Sequence, residues 1–184
     1  NTLVTLIHET NENFVTYNKW QKFNNFLIEK NLSHIAKTHL DKKFVTSGFR
    51  ERYVRYAKSL VSSGDARGED ISHNLEIEFV LQVNPYKSDL KNGLPIKLYY
   101  KGKPLVKFQV EVFSKTLGGI VSKDILVTDN HGQIVLATYP KTKYLLNAVK
   151  MREPTAMDSS KEKNEKKILL WESLWGSLTF MTPN

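Results

Sequence analysis

"HNLEIEFVLQVNPY", residues 73–86, decides the fold class. Leu75, Ile77, Phe79, Leu81 and Val83 occupy alternate positions, with Glu76, Glu78 and Gln82 opposite them. A period of two sends alternate side chains to opposite faces, which predicts a half-buried strand. Asn84-Pro85 ends it, because proline has no N–H for a ladder. The pattern recurs in "LPIKLYYKGKPLVKFQVEVF" (residues 94–113). Ile96, Leu98 and Tyr100 alternate with Lys97, Tyr99 and Lys101, "KGKP" turns the chain, and Val106, Phe108, Val110 and Val112 alternate on the return, a predicted hairpin. Further strands are expected at "DILVT", "QIVLATY", "YLLNAVKM" and "LWGSLTFM". Seven or so short strands separated by polar turns argue for an antiparallel β-sandwich.

Upstream the period changes. Trp20, Phe23 and Leu27 recur at spacings of three and four, one apolar helical stripe, with Thr16 or Asn18 as the expected N-cap and Asn31 as its end. "LSHIAKTHLDKKF" (residues 32–44) reads as a second helical piece or an irregular connection. "SGFRERYVRYAKSLVSSGD" (residues 47–65) gives the strongest helical signal: Tyr53, Tyr56, Ala57, Leu60 and Val61 form an apolar face, and Gly64 stands where a helix would stop. Arg52, Arg55 and Lys58 then line a second face, either solvated and paired to carboxylates or a row for an anion. "SSGDARGED" is a polar loop and an expected boundary. The whole is mainly β with two or three helices ahead of the sandwich. Residues 1–16 form a strand remnant, 17–66 a helical segment and 67–184 the sandwich. "MDSSKEKNEKK" (residues 157–167), charged and poor in apolar side chains, is expected to be a mobile exposed loop.

The 184 residues suffice for a sizeable core, and no apolar run is long enough to cross a membrane as a helix. There is no cysteine, which removes disulfides, zinc–thiolate sites and thiol catalysis. The net charge is +8, and residues 17–66 hold 10 Lys/Arg against 4 Asp/Glu. The lysines are dispersed and no nucleic-acid motif accompanies them, so nucleic acid is not an expected partner. The chain begins with Asn1 and runs into "TLVTLIHE", a strand whose sheet partners are partly missing; this reads as processing or truncation, with a signal peptide upstream.

Imidazole suits nickel, copper or zinc, and there are five histidines: His8, His34, His39, His73 and His131. In "TDNHGQ" (residues 128–133), Asp129 and His131 are spaced to share a strand face as a two-ligand metal fragment. The competing reading is a hairpin turn, with Asp129 bonding nearby backbone and Gly132 supplying positive φ. Glu76, Glu78 and Glu111 could form a carboxylate pair for glycoside hydrolysis, but solvent-facing strand carboxylates are commoner. No nucleophile elbow or phosphate-cradling glycine loop occurs, so an enzyme is not expected. Trp171 and Trp175 either stack on a glycan or pack inward, with Trp20 a candidate partner.

The ordered segments "FNNFLIEKNL", "RERYVRYAKSLV", "LEIEFVLQVNPY", "LPIKLYYKGKPLVKFQVEVF", "TDNHGQIVLATY", "YLLNAVKM" and "WESLWGSLTF" resemble the exported bacterial domain-of-unknown-function 4198 family. That family is grouped with periplasmic components of cobalt and nickel ABC uptake systems. The resemblance implies an Ig-like or transthyretin-like sandwich, export to the periplasm or cell surface, and handling of a divalent transition metal (nickel, cobalt or zinc) beside a membrane transporter. Its N-terminal histidine has no counterpart here, which leaves His8, His131 and Asp129 as substitute ligands. Two readings follow: a non-enzymatic exported module accessory to nickel or cobalt uptake, or a structural or adhesive sandwich. The second would bind a protein partner or glycan through Trp171, Trp175, Tyr99, Tyr100 and the lysine-rich hairpin.

Overall fold

A computed structural model describes residues 2–155 and 168–183. Its elements run β1 (Leu3–Glu9), β2 (Asn13–Tyr17), α1 (Trp20–Glu29), α2 (Ser33–Asp41), β3 (Phe49–Ser62), β4 (Ile77–Leu81) and β5 (Leu94–Tyr100). After these come β6 (Lys103–Pro104), β7 (Gln109–Lys115), β8 (Val121–Val127), β9 (Gln133–Leu136), β10 (Lys143–Arg152) and β11 (Leu169–Met181). The described residues are mainly β with two helices, and the sheets form a sandwich. It divides into two compact units, Asn1–Glu9 with Arg55–Ala148 and Trp175–Asn184, and Thr10–Val54 with Val149–Leu174. The charged loop expected at 157–167 lies outside the described residues.

One sheet has the order β1-β3-β11-β10-β7-β8, with β2 also pairing β3, and the other joins β4, β5 and β6, with β9 also pairing β5. Inward side chains of the larger sheet, among them Leu60, Val110, Val112, Leu146, Leu178 and Phe180, are buried. Those of the smaller sheet include Ile77, Phe79, Leu81, Leu94, Ile96 and Leu98. Each such side chain removed from water contributes about 1.5–3 kcal/mol, which makes this layer the main source of stability. The two sheets pack tightly at Gly176, where a Cβ would lie 3.1 Å from the Ile77 side chain.

The second unit packs both helices with β2 and the neighbouring ends of β3 and β11. Phe23, Leu27, Ile35, His39, Phe49 and Trp171 are buried there. Both helices end in the same way, as Schellman motifs. Asn31 (φ 55°) follows α1, with Leu32 N–H bonded to Leu27 O at 2.7 Å; Lys43 (φ 55°) follows α2, with Phe44 N–H bonded to His39 O at 3.1 Å. Asn31 therefore ends α1 as its sequence indicates, but neither Thr16 nor Asn18 caps it: the N-cap is Lys19, without a side-chain bond.

Several expectations are corrected. Residues 49–62, read as the strongest helix, are strand β3. Arg50, Arg52, Val54, Tyr56, Lys58 and Leu60 are all buried, an alternation hidden in the sequence because three of the six inward positions carry charge. Arg52, Arg55 and Lys58 do not form one row, since strand geometry turns Arg55 away from the other two. β1 does have its partner, pairing β3 from Leu3↔Ser62 to Glu9↔Tyr56. β4 is buried on both faces, Glu78 included, instead of half-buried. The "KGKP" turn returns only two residues as β6, after which Lys107 (φ 53°) redirects the chain and β7 joins the other sheet, against β8 and β10. Nor is "TDNHGQ" a hairpin, because β8 pairs β7 while β9 pairs β5 in the opposite sheet.

Candidate functional site

The residues just after β11 and the turn before β10 are tied together in the first unit. Thr182 N–H bonds Thr142 O at 3.0 Å, Thr142 N–H bonds Thr182 Oγ1 at 3.1 Å, and Lys141 N–H bonds Pro183 O at 2.9 Å. This latch fixes the "PKTK" turn (residues 140–143) beside a cleft of about 500 Å3. Leu60, Val61, Phe180 and Met181 give the cleft its apolar lining, and Lys141 and Lys143 stand at it. Tyr86 closes one side, its hydroxyl donating to Leu60 O at 2.8 Å, and burial raises that phenol above its ordinary pKa. Neither lysine side chain has an ion-pair or hydrogen-bond partner among the described residues. A second cavity of about 450 Å3 shares Thr182 and Pro183 with the first. An apolar cleft with unpaired cations suits a ligand that is apolar and anionic.

A different arrangement lies inside the same unit. Lys58 of β3 is buried with Asp70, in the loop before β4, and Glu78 of β4. Its Nζ is 2.7 Å from Asp70 Oδ1 and 3.1 Å from Glu78 Oε1, and it also donates to Ile71 O at 2.9 Å. Glu78 additionally accepts from Ser72 Oγ at 2.8 Å and His73 N–H at 2.9 Å.

The second unit buries polar groups around an aromatic cluster. Trp171 Nε1–H donates to His39 Nδ1 at 3.0 Å, so His39 carries its proton on Nε2, which donates to Val45 O at 3.1 Å. Trp20, Phe23 and Phe49 surround the ring, and burial holds it below the usual imidazole pKa. Glu51 accepts from Ser173 Oγ and from Tyr17 Oη; burial pushes its carboxyl above the usual range despite those bonds. Burial, aided by the nearby Glu51 charge, also raises the Tyr17 phenol. Arg52 bridges Glu172 at 2.7 Å and Glu12 at 2.9 Å, while Arg152 Nε meets the other Glu172 oxygen.

The metal candidates are not gathered. His8 is exposed on β1 opposite Ala57, and His131 is exposed in the 129–132 turn. Asp129 Oδ1 accepts from His131 N–H at 2.7 Å and Gln133 N–H at 2.9 Å, and these bonds hold its carboxyl below the usual pKa range. Gly132 has φ 70°, and a Cβ there would lie 2.8 Å from Pro104 Cβ, so this is the turn its sequence describes. Among the described residues no three His, Asp or Glu side chains converge as a metal ion would require. Trp171, a proposed glycan contact, is 1% exposed and belongs to the core. Trp175 is half-buried with the Arg55 guanidinium 5.0 Å from its ring centre, and Tyr99 is half-buried between Glu78 and Pro104 in the smaller sheet.

A family model described as a domain of unknown function (DUF4198) matches residues 6–152. The chain belongs to the DUF4198 family. No curated protein and no solved structure matches this DUF4198 chain. No helix among its described residues is long and apolar enough to cross a membrane. Sequence reasoning missed Lys141 with Lys143; for Lys58 it offered pairing to carboxylates, but on a helix face and without naming Asp70 and Glu78 as the partners. The available signals were two lysines in one turn without a carboxylate neighbour, and a lysine at an inward position of an alternating run.

Proposed function

We propose that this DUF4198 chain is a non-enzymatic binding module of an exported protein, and that it holds an extended apolar peptide ending in a carboxylate. The exported setting rests on the family resemblance. The observation that carries the ligand class is the pair of lysines, without partners among the described residues, at the apolar cleft of about 500 Å3. Ser59, Ser62 and Thr179 also line it, and their hydroxyls suit the amide groups of a peptide better than a bare alkyl chain. The nickel or cobalt role implied by the resemblance has no comparable carrier among the described residues.

The test uses a fluorescent peptide with an apolar C-terminal residue, with a free or an amidated carboxyl end. Binding should weaken with salt and with amidation, and the Lys141→Glu/Lys143→Glu double variant should lose about tenfold or more in affinity. Equal binding of both peptide forms by wild type and variant removes the proposal. Calorimetry with nickel, cobalt and zinc ions on the same sample tests the metal reading separately.

A further inference from the structure

We propose that Lys58 and Asp70 are joined by an intramolecular amide bond, formed within the folded chain with Glu78 as the proton carrier. The three side chains are 1%, 0% and 1% exposed, so the amine and the two carboxyl groups meet away from water. Bulk water normally drives amide hydrolysis and competes for the carboxyl carbon; neither holds in a dry core. The fold holds the amine nitrogen 2.7 Å from Oδ1 of the carboxyl group it would attack before any chemistry, which removes the entropic cost of bringing the two together.

The two oxygens of Asp70 are already distinguished. Oδ2 accepts from Leu81 N–H at 2.9 Å, the place of an amide carbonyl oxygen. Oδ1 faces the ammonium and has no hydrogen bond of its own, the place of a leaving oxygen. Glu78 Oε1 touches Nζ at 3.1 Å and can take a proton from it and deliver it to Oδ1. The Nζ–Cγ bond forms and the Cγ–Oδ1 bond breaks. Of the three ammonium protons, one stays as the amide N–H and two leave with Oδ1 as water. Glu78 ends as it began, and no oxidant or co-reactant is needed. The product fits its surroundings, since Ile71 O, 2.9 Å from Nζ, can accept the remaining N–H. Condensation also removes a cation and an anion from the interior, where charges are costly. The bond would tie β3 of one sheet to the loop that enters β4 of the other.

Intact-mass spectrometry of the full chain tests this. The folded protein should weigh about 18 Da less than its sequence, one water per chain. A tryptic digest should yield a branched peptide joining the segment around Lys58 to that around Asp70. Glu78→Gln and Lys58→Arg should restore the full mass, and Asp70→Asn should lose about 17 Da, one ammonia, in place of water. A folded wild-type chain that keeps its full sequence mass after prolonged incubation overturns the proposal. So does a loss of water mapped within a single unbranched peptide, which marks a cyclic imide instead. Both of these outcomes are read on the wild-type protein, so a variant that fails to fold does not leave the matter open.

Discussion

The two units bury charge in different ways, and the contrast between Lys58 and Arg52 shows what each side chain is suited to. In the first unit a primary amine is held by two carboxylates, side chains at most 1% exposed. In the second a guanidinium divides itself between Glu172 and the more exposed Glu12, with Arg152 reinforcing Glu172. Arg52 keeps its proton at any relevant pH and offers a planar fork, so it serves as a permanent clamp. Lys58 can become a nucleophile once it gives up a proton, so the same inward position on a strand can be chemically productive. Beside the Arg52 clamp the second unit also holds a neutral donor–acceptor pair, Trp171 and His39, which titrates without an ion partner.

The largest effect expected on this contrast comes from Lys58→Met. It leaves Asp70 and Glu78 facing each other without a cation and should cost at least about 3–5 kcal/mol in urea unfolding, since it removes the amide bond as well as the ion pair that precedes it. Arg52→Leu should cost about 3 kcal/mol, at the lower end of that range, because Arg152 still holds Glu172 and Glu12 is exposed enough to hydrate. If the Arg52 change proves the costlier, the ranking of the two clusters is wrong. Trp171→Phe keeps an aromatic ring but leaves His39 Nδ1 without a donor, for about 1–3 kcal/mol in the same assay.

A pH series separates the neutral pair from the ionic ones. The folded pKa of His39 lies below the ordinary value of about 6.5, so the unfolded chain takes up the proton first as pH falls. Its contribution is therefore complete above about pH 6.5 and declines below it. The stability gap between wild type and His39→Phe should narrow as pH drops from about 6.5 toward 5, and a gap that widens refutes the neutral assignment. Glu51 acts in the opposite sense: its raised value makes its contribution full below about pH 4.3 and smaller as pH rises through the folded pKa. The smallest effect belongs to the exposed Asp129→Ala, a slight drop in melting temperature near neutrality. That drop should vanish below about pH 4, because a depressed carboxylate pKa contributes only above its unfolded value.

Much of this architecture is legible in the residues. The β4 and β5 alternations, the α1 stripe of Phe23 and Leu27, and the Asp129–Gly132 turn all appear where local pattern places them, because each signal spans only a few neighbouring residues. Partners are what local pattern does not carry. β3 reads as helical because its inward charges break the apolar rhythm, and only the distant carboxylates of Arg52 and Lys58 explain why those two positions are inward. The 128–133 turn is recognisable, but not that its two strands enter opposite sheets: the same residues can close a hairpin or cross a sandwich. Trp171 and Trp175, each readable from the sequence as a core side chain or a sugar platform, are sorted by what covers them, His39 for one and Arg55 for the other.

The sequence by itself determined a mainly β chain with short helices, no thiol chemistry and membership of one family, because composition, periodicity and ordered segments are properties of the chain alone. Tertiary structure alone decided that Lys58, Asp70 and Glu78 meet in a dry interior and that Lys141 and Lys143 stand at an apolar cleft. The physical reason is that charge is legible in one dimension, whereas its neutralisation depends on which strands fold together in three.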